Sequence, residues 1–211
     1  MKTPHTADAY RAALFERRPE LTACREQIAQ VEVALLHCYR SGGKLLLCGN
    51  GGSASDCEHI AGELLKGFMG KRPLSAADRA GLSPALATQL QGGLPAIPLT
   101  GFPALATAFS NDVDPLLIYA QLVWSLGRPG DVLLGISTSG NARNVCAAIE
   151  AAKARGLVTI GLTGRHGGTM KPLVDHCINV PADETYRIQE YHLPVYHYLC
   201  QSLEATLFPE P

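Results

Sequence analysis

Two polar residues on one predicted helix have the types and spacing of an acid–base or metal-binding pair. His59 and Glu63 lie four residues apart in the segment CEHIAGEL. Residues at this spacing share one face of a helix, with Cβ atoms about 6 Å apart. An imidazole and a carboxylate placed in this way can meet one ion or one substrate atom. Taken alone, the pair is also typical of an exposed polar helix face.

A glycine-bearing turn comes directly before this helix and after an apolar strand predicted for residues 44–48. The turn consists of Gly49, Asn50, Gly51, Gly52 and Ser53. The open N–H groups and the dipole at a helix N-terminus favour an anion. Because the turn lacks the G-x-G-x-x-G and GxxxxGK[ST] spacings of nucleotide sites, it indicates a small phosphorylated ligand.

The same pattern of strand, polar turn and helix occurs a second time. A strand is predicted for residues 131–136, and the turn that follows contains Ser137, Thr138 and Ser139. These hydroxyl groups could simply cap the next helix. In a parallel sheet, however, ligands bind beyond the carboxyl ends of the strands. Two such turns together therefore favour a phosphate site without a cationic side chain.

The last predicted helix, residues 186–207, supplies further candidates. At 100° per residue, Glu190 and His197 are nearly eclipsed, whereas Gln189 and His197 differ by about 80°. Periodicity alone therefore favours Glu190 as the partner of His197. Pro194 bends the helix, so both residues stay candidates at this point.

Short apolar runs that alternate with helical patterns position these residues. Such alternation predicts a mainly parallel sheet covered by helices on both faces, an α/β fold. Residues 69–100 are rich in proline and glycine and are interpreted as a long excursion that covers a site. The predicted strands are 44–48, 96–101, 131–136, 157–163 and 174–181; the predicted helices are two within 6–40 separated near Pro19, then 54–66, a short piece near 84–91, 104–112, 115–126, 142–155 and 186–207.

Composition restricts the class of protein. The 211 residues, 46% hydrophobic with a net charge of -1, fit one α/β domain over residues 1–211 with an N-terminal helical extension over 1–40. Neither a nucleic-acid surface nor a membrane span is expected, because no basic cluster and no apolar run of about 18 residues occurs. The start of the chain has no secretory pattern. Seven cysteines without a CxxC pair predict reduced thiols and a cytoplasmic protein; Cys57 is expected to be a small buried residue rather than a thiolate ligand.

Four segments in order carry a resemblance to a known family. They are CGNGGSASDCEHIAGEL, GDVLLGISTSGNARNV, IGLTGRHGG and RIQEYHLPVYH. The chain resembles the sugar isomerase (SIS) domain family, and within it the phosphoheptose isomerases. The resemblance implies a flavodoxin-like parallel sheet and a homotetramer with active sites near subunit interfaces. It also implies interconversion of sedoheptulose 7-phosphate and D-glycero-D-manno-heptose 7-phosphate, toward heptose for lipopolysaccharide or other surface glycans.

The resemblance also assigns roles to individual residues. Glu63 and His197 are the implied acid/base pair. The implied zinc ligands are His59, Glu63, Gln189 and His197. The implied substrate-binding residues are Asn50, Gly51, Gly52, Ser53, Glu63, Asn111, Asp112, Ser137, Thr138, Ser139 and Gln189.

The chain departs from the family pattern at the predicted phosphate site. Ala142 stands where the family usually has serine, and an arginine that commonly follows the catalytic glutamate is missing. Lys66, Lys71 and Arg72 are the candidate replacements. These differences concern the choice of substrate more than the reaction.

Two alternative functions remain open from the sequence. The DnaA initiator-associating protein is a non-catalytic SIS relative, but it does not have glutamate and histidine at the positions of Glu63 and His197. The joint presence of these residues here favours an enzyme. Isomerisation of another phosphosugar is the second alternative, because the fold alone does not select a substrate.

Overall fold

The apolar runs form a five-stranded sheet in the computed structural model, which describes residues 5–209. The strands are β1 Leu45–Gly49, β2 Ala96–Pro98, β3 Val132–Ile136, β4 Val158–Thr163 and β5 His176–Asn179. The helices in this part of the chain are α1 Ala7–Arg17, α2 Arg25–Arg40, α3 Gly52–Leu65, α4 Ala76–Arg79, α5 Pro84–Gln89, α6 Pro103–Asp112, α7 Ile118–Leu126, α8 Arg143–Ala154 and α9 Thr185–Leu207.

All paired strands are parallel, in the order β2-β1-β3-β4-β5. Alternate residues of β1 enter opposite cores, as the two-residue period of a strand requires. Leu45 and Leu47 face a core with α1, α2, α3 and α9, whereas Leu46 and Cys48 face a core with α7 and α8. The predicted parallel α/β fold of the flavodoxin type is confirmed.

Most predicted elements are present, with shifts at their ends. The strand predicted for 96–101 ends at Pro98 and continues as a 3₁₀ turn, because proline has no N–H group for a strand ladder. The predicted N-terminal helices are α1 and α2, joined by a 3₁₀ segment over Pro19–Cys24; the first four residues of the predicted extension lie outside the described part. No helix within residues 5–209 is both long and apolar enough to cross a bilayer.

A buried ion pair connects the excursion to the two helices that carry the candidate acid–base residues. Arg72 is completely buried, and its Nε donates to Glu204 on α9 at 2.6 Å. The Arg72 Nη1 and Nη2 atoms donate to the backbone oxygens of Leu64 (2.6 Å) and Glu63 (3.1 Å), at the end of α3. One guanidinium therefore satisfies open carbonyl groups of α3 and holds them next to α9.

Glu204 also accepts hydrogen bonds from the start of the excursion. Its carboxylate oxygens accept the N–H groups of Phe68 (2.7 Å), Met69 (2.7 Å) and Gly70 (3.0 Å). Burial alone would raise the pKa of Glu204, but these three N–H groups and the Arg72 guanidinium hold this pKa below its usual range. The segment directly after α3 is therefore attached to α9 by these hydrogen bonds.

Substituting Arg72 with methionine is expected to reduce the free energy of unfolding by about 3–5 kcal/mol, because the Glu204 charge would stay buried without its partner. Chemical denaturation of both proteins measures this difference. Lys153→Met is the matched control, because Lys153 pairs with Asp175 at 3.8 Å on the surface and should contribute less than about 1 kcal/mol. Equal losses in the two variants would contradict the structural role of Arg72.

His192 on α9 is buried without a hydrogen bond. It has no exposed surface, and neither ring nitrogen meets a hydrogen-bond partner among the described residues. Burial lowers the pKa of His192 to about 4, opposed only in part by the backbone of Thr163. In the unfolded chain, the pKa of histidine is about 6.5. Below this pH the unfolded state binds more protons than the folded state.

The stability contributed by neutral His192 is therefore complete above pH 6.5 and is lost as the pH falls toward 4. A difference in pKa between about 6.5 and about 4 corresponds to about 3 kcal/mol. His192→Leu is expected to remove this part of the acid dependence, measured as the free energy of unfolding at several pH values. His166→Gln, at an exposed histidine, should leave the acid dependence of the parent protein unchanged. A parallel pH profile for the leucine variant and the parent would contradict the assignment.

Candidate active site

The packing of α3 against α9 brings together three of the predicted site residues. His59 Nε2 lies 3.2 Å from Glu63 Oε1, one helical turn away on α3. The same Nε2 atom lies 3.4 Å from Nε2 of His197 on α9. Glu63 and His197, the predicted acid/base pair, therefore contact the same imidazole, although they lie 134 positions apart in the chain.

The surroundings of His197 favour its neutral form. Its ring packs at a tilt against the Phe68 ring, with centroids 5.6 Å apart, and edge to face against Tyr196 at 5.0 Å. Burial lowers the pKa of His197, His59 lowers it further, and Glu63 opposes this shift. A neutral imidazole can both accept and donate a proton, as acid–base catalysis requires.

The donor set also fits the zinc ion that the family resemblance implies. Two imidazole nitrogens and one carboxylate oxygen are ordinary zinc ligands, and ligands about 2.0–2.2 Å from tetrahedral zinc lie about 3.3 Å from each other. The separations of 3.2 and 3.4 Å match this value. His59 contacts Glu63 and His197 separately. Within residues 5–209, no three His, Cys, Asp or Glu side chains already have the arrangement of a metal site.

The structure separates Gln189 from Glu190. The side-chain amide of Gln189 lies directly over Gly52 in the first turn, where a Cβ atom would collide with it. Glu190 is exposed and lines a cavity of about 800 Å³ between α1 and α9, with His197 at its edge. Periodicity correctly placed Glu190 and His197 on one side of α9. The role of Gln189 as a metal ligand stays a prediction, and its contact with Gly52 places it beside the predicted phosphate turn.

The two polar turns form one smaller cavity of about 240 Å³. It is lined by Asn50, Ser53, Ile136, Ser137, Thr138, Ser139, Asn141 and Ala142. Gly51 has a φ of +56° directly before α3, a conformation that favours glycine. The cavity thus combines side-chain hydroxyl and amide groups from the ends of β1 and β3 with the open N-terminus of α3.

A pair of reciprocal amide bonds joins the two turns. Asn50 Nδ2 donates to Asn144 Oδ1, and Asn144 Nδ2 donates to Asn50 Oδ1, both at 2.9 Å. Sequence reasoning missed Asn144. The signal was its place in the first turn of α8, where the second copy of the strand–turn–helix pattern faces the first copy.

The second turn rests on the GRHGG segment that follows β4. Thr138 accepts the N–H of Gly164 at 3.0 Å through its backbone oxygen. Asn141 Oδ1 accepts from both the backbone N–H and the hydroxyl group of Thr169, each at 2.9 Å. These bonds fix the backbone of the turn, so the turn itself does not have to be ordered when a ligand binds.

Other candidate residues lie away from this centre. Asn111 and Asp112 are exposed at the end of α6, bonded to each other at 2.8 Å, and line neither cavity; their role in substrate binding stays a prediction. Cys57 is completely buried, and this burial raises the pKa of its thiol well above the usual value. It is a core residue, as expected.

The three candidate replacements for the family arginine lie in different environments. Arg72 is buried in its ion pair with Glu204, so it is not available to a phosphate group. Lys66 lies 3.6 Å from Glu63 and is mostly exposed. Lys71 is exposed at the start of the excursion. Lys66 is therefore the cation nearest to the acid–base centre among these three.

A protein-family model matches the part of the chain that forms most of the sheet and both polar turns. The model of the SIS domain matches residues 9–164, which contain the sheet from β1 to β4 and both polar turns. The chain belongs to the SIS domain family.

Within this family, the similarity extends over nearly the whole chain to one group of enzymes. The chain is 41% identical over 203 residues to a phosphoheptose isomerase of Roseiflexus sp., covering 96% of this chain and 93% of that protein. The structure of the Neisseria gonorrhoeae phosphoheptose isomerase is similar with a TM-score of 0.74 and 35% identity, covering 92% and 94% of the two chains. That of a Francisella tularensis phosphoheptose isomerase gives 0.75 and 32%, covering 93% and 95%. The chain is therefore a member of the phosphoheptose isomerase group of SIS proteins.

Removing the Asn144 amide is expected to weaken anion binding between the turns. Asn144→Ala deletes the two hydrogen bonds that join the turns, together worth about 1–3 kcal/mol at about 0.5–1.5 kcal/mol each, so the dissociation constant of inorganic phosphate should rise about fivefold to 100-fold. Asn144→Asp should cause a larger loss, because a negative charge would lie next to Asn50, which lines the cavity. Isothermal titration measures both constants. Gln121→Ala removes a surface amide that bonds Ser125 and is the control; similar losses in all three variants would contradict the role of Asn144.

Proposed function

We propose that this protein interconverts sedoheptulose 7-phosphate and D-glycero-D-manno-heptose 7-phosphate. The observation that carries the proposal is the meeting of Glu63 and His197 at one imidazole, His59. Aldose–ketose isomerisation moves a proton between C1 and C2 through an enediol, and it needs two groups that exchange protons. The similarity to phosphoheptose isomerases supports the choice of substrate.

Glu63 is proposed as the base that removes the proton from carbon. Its side chain is 17% exposed, so the carboxylate is accessible to a substrate while it is shielded from most solvent. Lys66 approaches its other oxygen at 3.6 Å. The same carboxyl group would return the proton to the neighbouring carbon, which completes the isomerisation.

His197 is proposed to move the proton between the two substrate oxygens. The lowered pKa of its ring keeps the imidazole neutral near pH 7, so it can accept a proton from one hydroxyl group and donate one to the neighbouring oxygen. Because Glu63 and His197 come from different helices, they can approach the substrate from two directions. This separation gives carbon and oxygen each their own proton carrier.

The two polar turns are proposed to hold the phosphate group. The cavity of about 240 Å³ has room for a phosphate, and its lining offers the hydroxyl groups of Ser53, Ser137 and Ser139. Hydrogen bonds to a charged group are stronger than neutral ones. A fixed phosphate would orient the sugar carbons with respect to Glu63.

His59, Glu63 and His197 are proposed to hold zinc, with Gln189 as a fourth donor. When bound, zinc would act as a Lewis acid on the substrate carbonyl. We also propose a cytoplasmic homotetramer with active sites near subunit interfaces, in a pathway that supplies heptose for lipopolysaccharide or other surface glycans. The exposed apolar side chains of Val33, Trp124 and Leu193 are consistent with such an assembly.

Substituting either proposed acid–base residue is expected to reduce turnover of sedoheptulose 7-phosphate about 10²- to 10⁴-fold. Glu63→Gln and His197→Ala are compared with Glu150→Gln, at an exposed carboxylate on α8, by following the aldose product. A chelator should also abolish turnover by the parent protein, and added zinc should restore it. Full turnover by Glu63→Gln or by His197→Ala would reject the assignment. Faster turnover of a pentose or hexose phosphate by the parent protein would reject the substrate.

A further inference from the structure

The Tyr196 hydroxyl group connects one candidate metal ligand to a half-buried carboxylate. Its oxygen lies 3.0 Å from His59 Nδ1 and 3.1 Å from Asp56 Oδ1. The Tyr196 side chain is 2% exposed, so water does not compete for these contacts. Neither Tyr196 nor Asp56 was predicted as a functional residue from the sequence. Asp56 and His59 are three positions apart on α3 and therefore share the face that Tyr196 contacts.

Counting protons determines the direction of both hydrogen bonds. A tyrosine hydroxyl group has one proton, which it keeps at neutral pH because its ordinary pKa is about 10. An ionised carboxylate can only accept. The hydroxyl group therefore donates to Asp56 Oδ1 and must accept from His59 Nδ1. The other oxygen of Asp56 is buried without a hydrogen-bond partner among the described residues, so Tyr196 is the group that satisfies this carboxylate.

We propose that Tyr196, together with Asp56, is a positioning residue that keeps the His59 proton on Nδ1 and directs the Nε2 lone pair toward Glu63 and His197. The two rings pack edge to face with centroids 5.5 Å apart, which fixes the plane of the His59 ring as well as its tautomer. Tyr196 is also the chain neighbour of His197. Tyr196 thus orients the candidate ligand His59 on α3 and is joined by a peptide bond to the candidate ligand His197 on α9.

In this tautomer, the lone pairs of His59 Nε2 and Glu63 Oε1 face each other without a proton between them. With its proton on Nδ1, His59 offers an acceptor to Glu63 Oε1 at 3.2 Å, and two acceptors repel each other unless a proton or a cation lies between them. Such a site is prepared for a cation, and groups of this kind that orient metal-binding histidines raise metal affinity. This part of the inference rests on the proposed zinc site. The tautomer itself does not.

The tautomer can be measured directly in the parent protein. ¹⁵N NMR of the histidine rings, on the full chain freed of metal by a chelator at neutral pH, distinguishes Nδ1–H from Nε2–H; the loss of signals in His59→Gln assigns the ring. We expect His59 in the Nδ1–H form. The Nε2–H form would overturn the proposal, because it would require Asp56 to hold the proton and Tyr196 to donate to His59. This measurement needs no variant of Tyr196 and does not depend on turnover.

Zinc affinity supplies the second measurement. Tyr196→Phe keeps the buried ring and removes the hydroxyl group, so the dissociation constant of Zn²⁺ should rise about 10- to 100-fold, as measured by competition with a chromophoric chelator. Tyr198→Phe is the matched control. Its hydroxyl group, on the same helix, donates to Glu32 at 2.6 Å on another side of α9, so its loss should lower stability without changing zinc affinity.

The outcomes separate the positioning role from the proposed function. Equal zinc affinity in Tyr196→Phe and the parent protein would overturn the positioning role, and so would equal losses in the two phenylalanine variants. A parent protein that has the expected tautomer and zinc affinities but does not turn over sedoheptulose 7-phosphate would reject the proposed reaction and leave the role of Tyr196 intact.

Discussion

The geometry of the site depends on one buried ion pair. Arg72 reaches the last carbonyl groups of α3 and the Glu204 carboxylate of α9 at the same time, so one buried guanidinium connects the two helices. The pair sets the distance between the two helices on which Glu63 and His197 lie. A buried charge is tolerated only where its partner is correctly placed, so this arrangement resists sliding of one helix along the other. The long excursion after α3 therefore has a structural function at its first turn, whereas α4 and α5 farther along it are mostly exposed.

The two ends of the proposed site are held in place in different ways. The proposed phosphate end is built from backbone turns that are bonded to one another through the Asn50–Asn144 amide pair, and to the next segment through the contacts of Thr138. The proposed reactive end is built from side chains on two helices, and Tyr196 is proposed to arrange the proton of one of them. Under these proposals, binding relies on backbone rigidity, while the chemistry relies on the protonation of a few rings. Since the turns end β1 and β3 and α3 starts from the first turn, the central strands connect the two ends.

Much of the fold could be predicted from the sequence because its signals are local. Apolar runs, the proline before α7 and the glycines of the turns identified nearly every element and the parallel sheet. The contact between His59 and Glu63 was also indicated by local spacing. What could not be predicted are contacts between distant residues: the burial of Arg72 against Glu204, and the position of Gln189 over Gly52. Periodicity along one helix cannot reveal such contacts, since it describes the faces of a helix and not what packs against them.

The absence of charge from the lining of the phosphate cavity has a consequence for how a ligand arrives. Every residue that lines it is neutral, and the chain has a net charge of -1. A cradle of hydroxyl, amide and N–H groups acts over the length of a hydrogen bond and does not attract an anion from a distance. Electrostatic steering depends on fixed charges and weakens as the Debye length shortens, to about 8 Å at physiological ionic strength. The encounter with a phosphorylated ligand is therefore governed by ordinary diffusion, and its rate should vary little between dilute and concentrated salt.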